Sequence, residues 1–224
     1  MTNRKRLIVY NWLSMILPDF GLFKRFRKAF LRWSGVDIHP SVSLSGTVRF
    51  IGSGEISIAA NSTVRDGVLF HVWGGGRIKL GQYNLVAENV ILESLSDPEN
   101  SASLTFGDHV DFMMGSLASA NGNAHVRIGD NCKIAHNVSV KATEHHIMSQ
   151  GNCIAGDCVF HDITISEGCW VCAGATITPG VTVGKHNVVG AGAVVIHDSP
   201  DNVLLVGVPA IVKKKYPFKE DGSI

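Results

Sequence analysis

The sequence predicts an all-β solenoid, a three-sided parallel β-helix built from hexapeptide repeats. Three observations predict it. Ile165, Val171, Ile177, Val183, Val189 and Val195 recur every six residues without a slip. A small or modest side chain stands four places after several of them, as at Cys169, Ala175, Val181 and Ala193. An earlier copy of the beat runs through Ile128, Ile134 and Val140. A period of six fits neither a helix of 3.6 residues per turn nor a long unbroken strand, so the unit is a short strand plus a corner. Three units make one triangular coil. The aliphatic points into the prism and the small residue fits its narrow interior. A glycine directly after the aliphatic, as at Gly129, Gly184 and Gly190, is expected to turn the corner because it tolerates φ > 0. Backbone N–H and C=O groups then pair between coils.

In chain order, residues 1–36 read as a basic amphipathic helical segment. They hold Arg4, Lys5, Arg6, Lys24, Arg25, Arg27, Lys28 and Arg32 against Asp19 alone. Phe23, Phe26, Phe30 and Trp33 fall at steps of three and four, on one face of a helix. That stripe is expected to cap the open end of the solenoid, or to let residues 1–34 lean on anionic lipid. The apolar stretch from Leu7 to Leu17 carries Asn11 and Ser14, is too short to span a bilayer and has no signal-peptide cleavage pattern. Residues 37–199 form the β-helix. Its first part is ragged: Ile58 and Val64, then Leu80, Val86 and Leu92, then Phe106 and Phe112 keep six-residue steps. Gly74-Gly75-Gly76 and the stretch Ser96 to Ser101 interrupt them and read as corner loops. A longer break at 141–164, holding three of the ten histidines, is where chemistry is expected on so rigid a scaffold. Residues 200–224 read as a C-terminal tail.

Composition narrows the class further. With 224 residues, 45% hydrophobic and 17% charged, the chain can bury a full core, and a net charge of +1 gives no argument for nucleic acid as a partner. Five cysteines, an odd number without a secreted-scaffold spacing, point to reduced thiols and a cytoplasmic protein. Cys169-Trp170-Val171-Cys172 has the form of a redox or metal motif. The six-residue register instead turns Cys169 inward and sets Cys172 at a corner, so the thiols should diverge.

The run from Ile165 to Lys215, with CWVCAGATITPGVTVGKHNVVGAGAVVIHDSPDNVLLVGVPAIVKKK inside it, resembles the C-terminal signature of the left-handed β-helix, hexapeptide-repeat acyltransferases. Within that family it is most similar to the sugar and polysaccharide O-acetyltransferase branch. The resemblance implies a left-handed coil, a homotrimer, acetyl-CoA as donor, a sugar or glycan acceptor and no metal. It also implies a histidine on an excursion as general base toward the acceptor hydroxyl. Glu144-His145-His146 fits the branch's pattern of an acid, any residue, then the catalytic histidine, which favours His146 over His145, with Glu144 to orient the imidazolium. Trp170 ends its hexapeptide, so its side chain should face outward, and in relatives such a Trp lines the acyl-transfer site. Coenzyme contacts carried over by position are Ala173, Ala191, Ile196, His197 and Lys214. The chain departs from the pattern where relatives show an arginine before that basic position, here Ile211, and a Thr-Lys pair, here Ile196-His197. For the acceptor, Asp111 and Asn123 are expected from position alone.

Other classes make different demands. An N-acyltransferase acting on an amino sugar shares the fold and the donor. A non-catalytic solenoid scaffold would tolerate loss of the loop histidines. A γ-type carbonic anhydrase needs a His-x-x-x-x-His pair, and no two histidines here have that spacing.

Overall fold

The computed structural model describes residues 3–16, 21–145 and 158–217. Two helices, Asn3–Ile16 and Gly21–Trp33, precede a three-sided parallel β-helix. Its faces are sheets of seven, nine and seven strands, called here the first, second and third face in the order the chain visits them. Each regular coil contributes one short strand per face. Ile165 on the first face pairs with Val183, Val171 on the second with Val189, and Ile177 on the third with Val195. The six-residue beat is thus the distance from one face to the next.

The core is a stack of three-residue layers. Phe106, Phe112 and Ala118 form one, with the two rings 5.2 Å apart, so the small alanine offsets two large neighbours. Phe50 and Phe70 stack at 4.9 Å in the third-face column. Phe70 continues the step from Ile58 and Val64, so the beat runs unbroken from Ile58 to the third face before the interruption at Gly74.

Every interruption falls at one corner. The steps from first to second face and from second to third remain six residues in coil after coil. From third to first the step is six at Ile177 to Val183 but ten at Phe70 to Leu80, fourteen at Leu92 to Phe106 and twenty-five at Val140 to Ile165. Gly74-Gly75-Gly76, the Ser96 to Ser101 loop and the break after Val140 therefore lie along a single insertion edge. The three glycines allow this stacking: a Cβ on Gly74 would lie 1.9 Å from the Ser96 carbonyl, and one on Gly75 2.0 Å from that of Asn100.

The structure corrects the expected use of glycine. The left-handed residue of a corner stands three places after the aliphatic, at Gly168, Gly174, Gly180 and Gly192, and at Asn61, Asn89, Asn131 and Asn137. Asparagine tolerates that conformation through its short polar side chain. The glycines directly after the aliphatic serve close approach between coils instead. A Cβ on Gly129 would meet the Glu167 nitrogen at 2.6 Å, and one on Gly184 the Pro200 carbonyl carbon at 2.6 Å.

A second correction concerns the N-terminal cap. The segment folds as two helices, and only part of the aromatic stripe seals the coil, with Phe30 packed against the core. Phe26 and Trp33 remain 52% and 50% exposed, while Leu31 and Tyr10 are buried. Tyr10 meets the Phe50 ring edge-on at 5.5 Å. Asn11 supplies a side-chain amide to the first strand of the third face: its Nδ2 donates to Phe50 O at 2.7 Å, and Phe50 N donates to its Oδ1 at 3.0 Å. Lys28 Nζ donates to the carbonyls of Pro40 and Val42, and Arg32 Nε to that of Ile38. Part of the basic charge is thus spent on the open backbone edge. Burial, with the charges of Arg32, Arg25 and Lys24 nearby, lowers the Lys28 pKa.

The ladder also runs past residue 199. Strand Val203–Val206 adds to the second face beside Val188–Val189, with Val203 and Leu205 buried, and Ile211–Lys215 folds back antiparallel on it. Among the described residues no helix is long and apolar enough to cross a membrane.

Leu31→Ala should cost about 2–5 kcal/mol, the usual cost of truncating a buried leucine. Phe26→Ala should stay within about 0.5 kcal/mol. Urea unfolding of the two variants checks this order; the reverse would return the capping role to the aromatic stripe.

Candidate functional site

The described residues place the sequence-predicted groups in two regions. One is the excursion on the insertion edge. After Ala142 the chain leaves the coil, forms strand Thr143–His145, and returns as Cys158–Phe160 paired antiparallel to it. Glu144 and His145 are both exposed here, and Asn123 lies in the corner turn of the same edge. Glu144 Oε1 stands 3.9 Å from Nε2 of His161, which directly follows the returning strand. His145 Nδ1 is 3.7 Å from Cys158 Sγ. His146 lies outside the described residues. The foot of the excursion bears on the next coil, where His161 packs beside Gly180.

The other region is the second face and its corner with the third. Trp170 is 54% exposed, facing outward as the register requires, in line between Lys133 and Val188. Asp111 stands in the same row and pairs with Lys133 Nζ at 2.5 Å. Lys214 extends the row through its pairing with Leu204, its Nζ 5.0 Å over the Tyr216 ring. Ala173 and Ala191 stack one coil apart at the adjoining corner, joined by Gly192 N donating to Ala173 O at 2.9 Å. The wall beside them is open: a Cβ on Gly192 would meet nothing within 4 Å, and one on Gly174 only backbone at 3.9 Å. Such a smooth, small-residue corner fits an extended arm such as that of a coenzyme. Ile196 and His197 are exposed farther on, following the third-face strand Val194–Val195.

Within one chain, then, Trp170, Asp111 and Lys214 share the second face, with four strands between Asp111 and Lys214, and Ala173 and Ala191 line its corner, while Glu144, His145 and Asn123 stand across the prism from them. Among the described residues no group of three or more His, Cys, Asp or Glu side chains could hold a metal ion.

The cysteines follow the register. Cys169 is buried and its thiol donates to Gly184 O at 3.1 Å, while Cys172 sits at a corner. Contact with the Cys132 thiol of the preceding coil, together with burial, pushes the Cys169 pKa up, and burial raises that of Cys172.

Sequence reasoning missed a polar cluster on the third face. Glu93 accepts from Ser119 Oγ at 2.9 Å and from Asn121 Nδ2 at 3.2 Å, and its other oxygen faces His71 Nδ1 at 3.2 Å. These residues are separated by coils of 22 and 26 residues, and only the pairing of His71 with Glu93 and of Glu93 with Ser119 reveals them as neighbours.

No family model matches the chain. It is 39% identical over 104 residues to the galactoside O-acetyltransferase of Escherichia coli strain K12, which covers 42% of this chain and 50% of that protein. A second galactoside O-acetyltransferase, from Lactococcus lactis, is 33% identical over 113 residues, so the sequence likeness is to acetyltransferases. The chain spans about half the length of the curated relatives it matches. Among solved structures, a polysialic-acid-specific acetyltransferase superposes with a TM-score of 0.58 at 20% identity, over 84% of this chain and 78% of that one. A hexapeptide-repeat acetyltransferase of Vibrio cholerae, complexed with acetyl-coenzyme A, gives 0.55 at 16% identity, over 95% and 86%. At these identities the structural likeness speaks for the fold alone.

Thiol labelling of the folded protein at pH 8 should modify the exposed Cys158 rapidly and leave Cys132 and Cys169 unmodified until denaturant is added. Mass spectrometry of the labelled peptides reads this directly; joint, fast labelling of Cys169 and Cys172 would restore a working thiol pair.

Proposed function

We propose that the protein is an acetyl-CoA-dependent O-acetyltransferase that moves an acetyl group to a sugar hydroxyl during surface-glycan biosynthesis. The observation that carries this reading is the histidine-bearing excursion, standing on a scaffold whose curated relatives include galactoside O-acetyltransferases.

An alcohol is a poor nucleophile at neutral pH, and an imidazole with an ordinary pKa of about 6.5 can take its proton as attack proceeds. In this reading His146 is that base and Glu144 steadies the imidazolium. The acceptor oxygen bonds to the thioester carbonyl carbon, the carbon–sulfur bond breaks, and the imidazolium returns its proton to the departing thiolate. No covalent enzyme intermediate is needed, consistent with the raised pKa of the Cys169 and Cys172 thiols. The Trp170 indole N–H is assigned to positioning the thioester oxygen. The open corner at Ala173 and Ala191 is assigned to the pantetheine arm. Lys214 is assigned to a phosphate, and Ile196 and His197 to the flanks of the donor.

The separation of Trp170 from the excursion within one chain supports a homotrimer in which one copy's excursion meets its neighbour's second face. Ile8, Trp12, Leu22 and Phe26 are exposed on the two basic helices, which supports peripheral contact with an anionic membrane from the cytoplasmic side.

Incubation with acetyl-CoA and a panel of hexoses, amino sugars, sialic acids and capsule oligosaccharides should add one acetyl group to an acceptor, detected by mass spectrometry. His146→Ala should lower turnover by about 10²–10⁴ and His145→Ala by much less. Reversal of that order moves the base to His145. No transfer together with no acetyl-CoA binding in calorimetry would leave a scaffold. A monomer in sedimentation at micromolar concentration would sink the shared site.

A further inference from the structure

We propose that the cleft at the foot of the excursion is the acceptor subsite and holds a neutral or amino pyranose between Trp73 and Phe160. This rests on the sugar-transfer reading above and names the class of sugar within it.

The cleft, about 340 Å³, lies on the insertion edge between the coil stack and both legs of the excursion. Its volume is near the lower end of small-ligand sites, roughly 300–1,000 Å³. Trp73 ends strand Leu69–Trp73, is 41% exposed, and stands in register above Leu95, which stands above Asn121. Phe160 forms the facing wall. Its position is built in: Gly122 has φ +65°, and a Cβ there would lie 2.5 Å from the Phe160 ring, so the ring rests on a bare α-carbon. Two aromatic side chains in one small cleft suit the C–H face of a sugar ring.

The polar groups divide into those already used and those left over. Asn121 is spent: its amide donates to Glu93 and Ser119, and its oxygen accepts from Leu95 N at 3.1 Å. The Ser96 hydroxyl is held on Gly122 O at 2.8 Å. Two groups remain. Thr143 Oγ1 is buried and has no hydrogen-bond partner among the described residues, a state that costs about 1–3 kcal/mol unless a ligand relieves it. Asp97 is exposed at the rim and, among the described residues, is the formally charged one in the lining. An apolar stack, one unpaired hydroxyl and one carboxylate acceptor match a ring with an apolar face and a rim of O–H or N–H donors. The carboxylate also repels anionic sugars, which sets the preference for neutral and amino acceptors over sialic acids.

The test is saturation-transfer NMR on the full chain without donor, with methyl galactoside, methyl glucosaminide and N-acetylneuraminic acid. Acceptor KM is then measured wherever acetyl transfer occurs. Trp73→Ala should weaken the neutral or amino sugar about tenfold and leave acetyl-CoA affinity unchanged. Trp73→Phe, which keeps a ring, should largely restore binding and guards against a folding defect. Asp97→Asn should narrow the discrimination against the acidic sugar. Unchanged sugar affinity and acceptor KM in Trp73→Ala, with transfer intact, would overturn the subsite while the enzyme reading stands. Absence of sugar binding to the wild type would overturn it as well. Sugar binding that is lost in Trp73→Ala, without acetyl transfer to any acceptor, would confirm the subsite and sink the transferase reading instead.

Discussion

Everything in this molecule answers to the hydrogen-bond ladder between successive coils. Each strand is only two to five residues long, so it is held by pairing to the coil before and the coil after it, and the pairing is in register on all three faces. A residue added within a face would flip the inward and outward sides of the strand and place a polar side chain in the prism. Length can vary only at a corner. Here two of the three corners hold their six-residue step and the third absorbs every insertion. The glycine run at 74–76 and the loop at 96–101 are therefore neighbours in space although twenty residues apart in sequence, and the excursion follows on the same edge.

That division puts the regular rows and the irregular features on different parts of the coil. The second face carries Trp170 in a row fixed by backbone pairing, with the smooth corner of Ala173 and Ala191 beside it. The insertion edge carries His145 and His161, the aromatic cleft and the Thr143 hydroxyl, which has no hydrogen-bond partner among the described residues. The polar cluster around Glu93 sits on the third face and supports the cleft from beneath, since the Asn121 amide that binds Glu93 also fixes Leu95 through its oxygen.

The repeat itself was legible because an inward position in a narrow prism admits little but Ile, Val, Leu, Phe or Ala, and the regular coils repeat that demand without insertion. The outward turn of Trp170 and the divergence of Cys169 and Cys172 followed from the same register. Other features lay beyond it. The glycine directly after the aliphatic was assigned to the corner's left-handed residue, but that residue stands two places farther on, at Gly168 and Gly174 as at Asn61 and Asn131, and Gly129 and Gly184 answer to backbone in the next coil, which no local pattern reveals. The aromatic stripe of the second helix suggested its buried side, yet Leu31 is buried and Phe26 is not, because the cap is set by which side chains reach the open carbonyls of the first coil. The Trp73–Phe160 cleft joins residues eighty-seven positions apart and depends on which corner takes the insertions. The excursion histidines drew notice through family likeness rather than through any pattern of their own.

The treatment of the two ends has a consequence for the protein's behaviour in bulk. A stack of identical parallel coils has no intrinsic length, and either bare end would template another copy as readily as another coil, the route by which solenoids become fibres. Asn11, Lys28 and Arg32 occupy the leading edge with side-chain donors that no incoming strand can displace without losing their bonds. At the trailing edge the chain reverses direction, and Lys213, Lys214 and Lys215 lie exposed along the last strand. Side-chain donors on the leading edge and a reversed, lysine-bearing strand on the trailing edge leave neither edge of the described coils bare for end-to-end pairing.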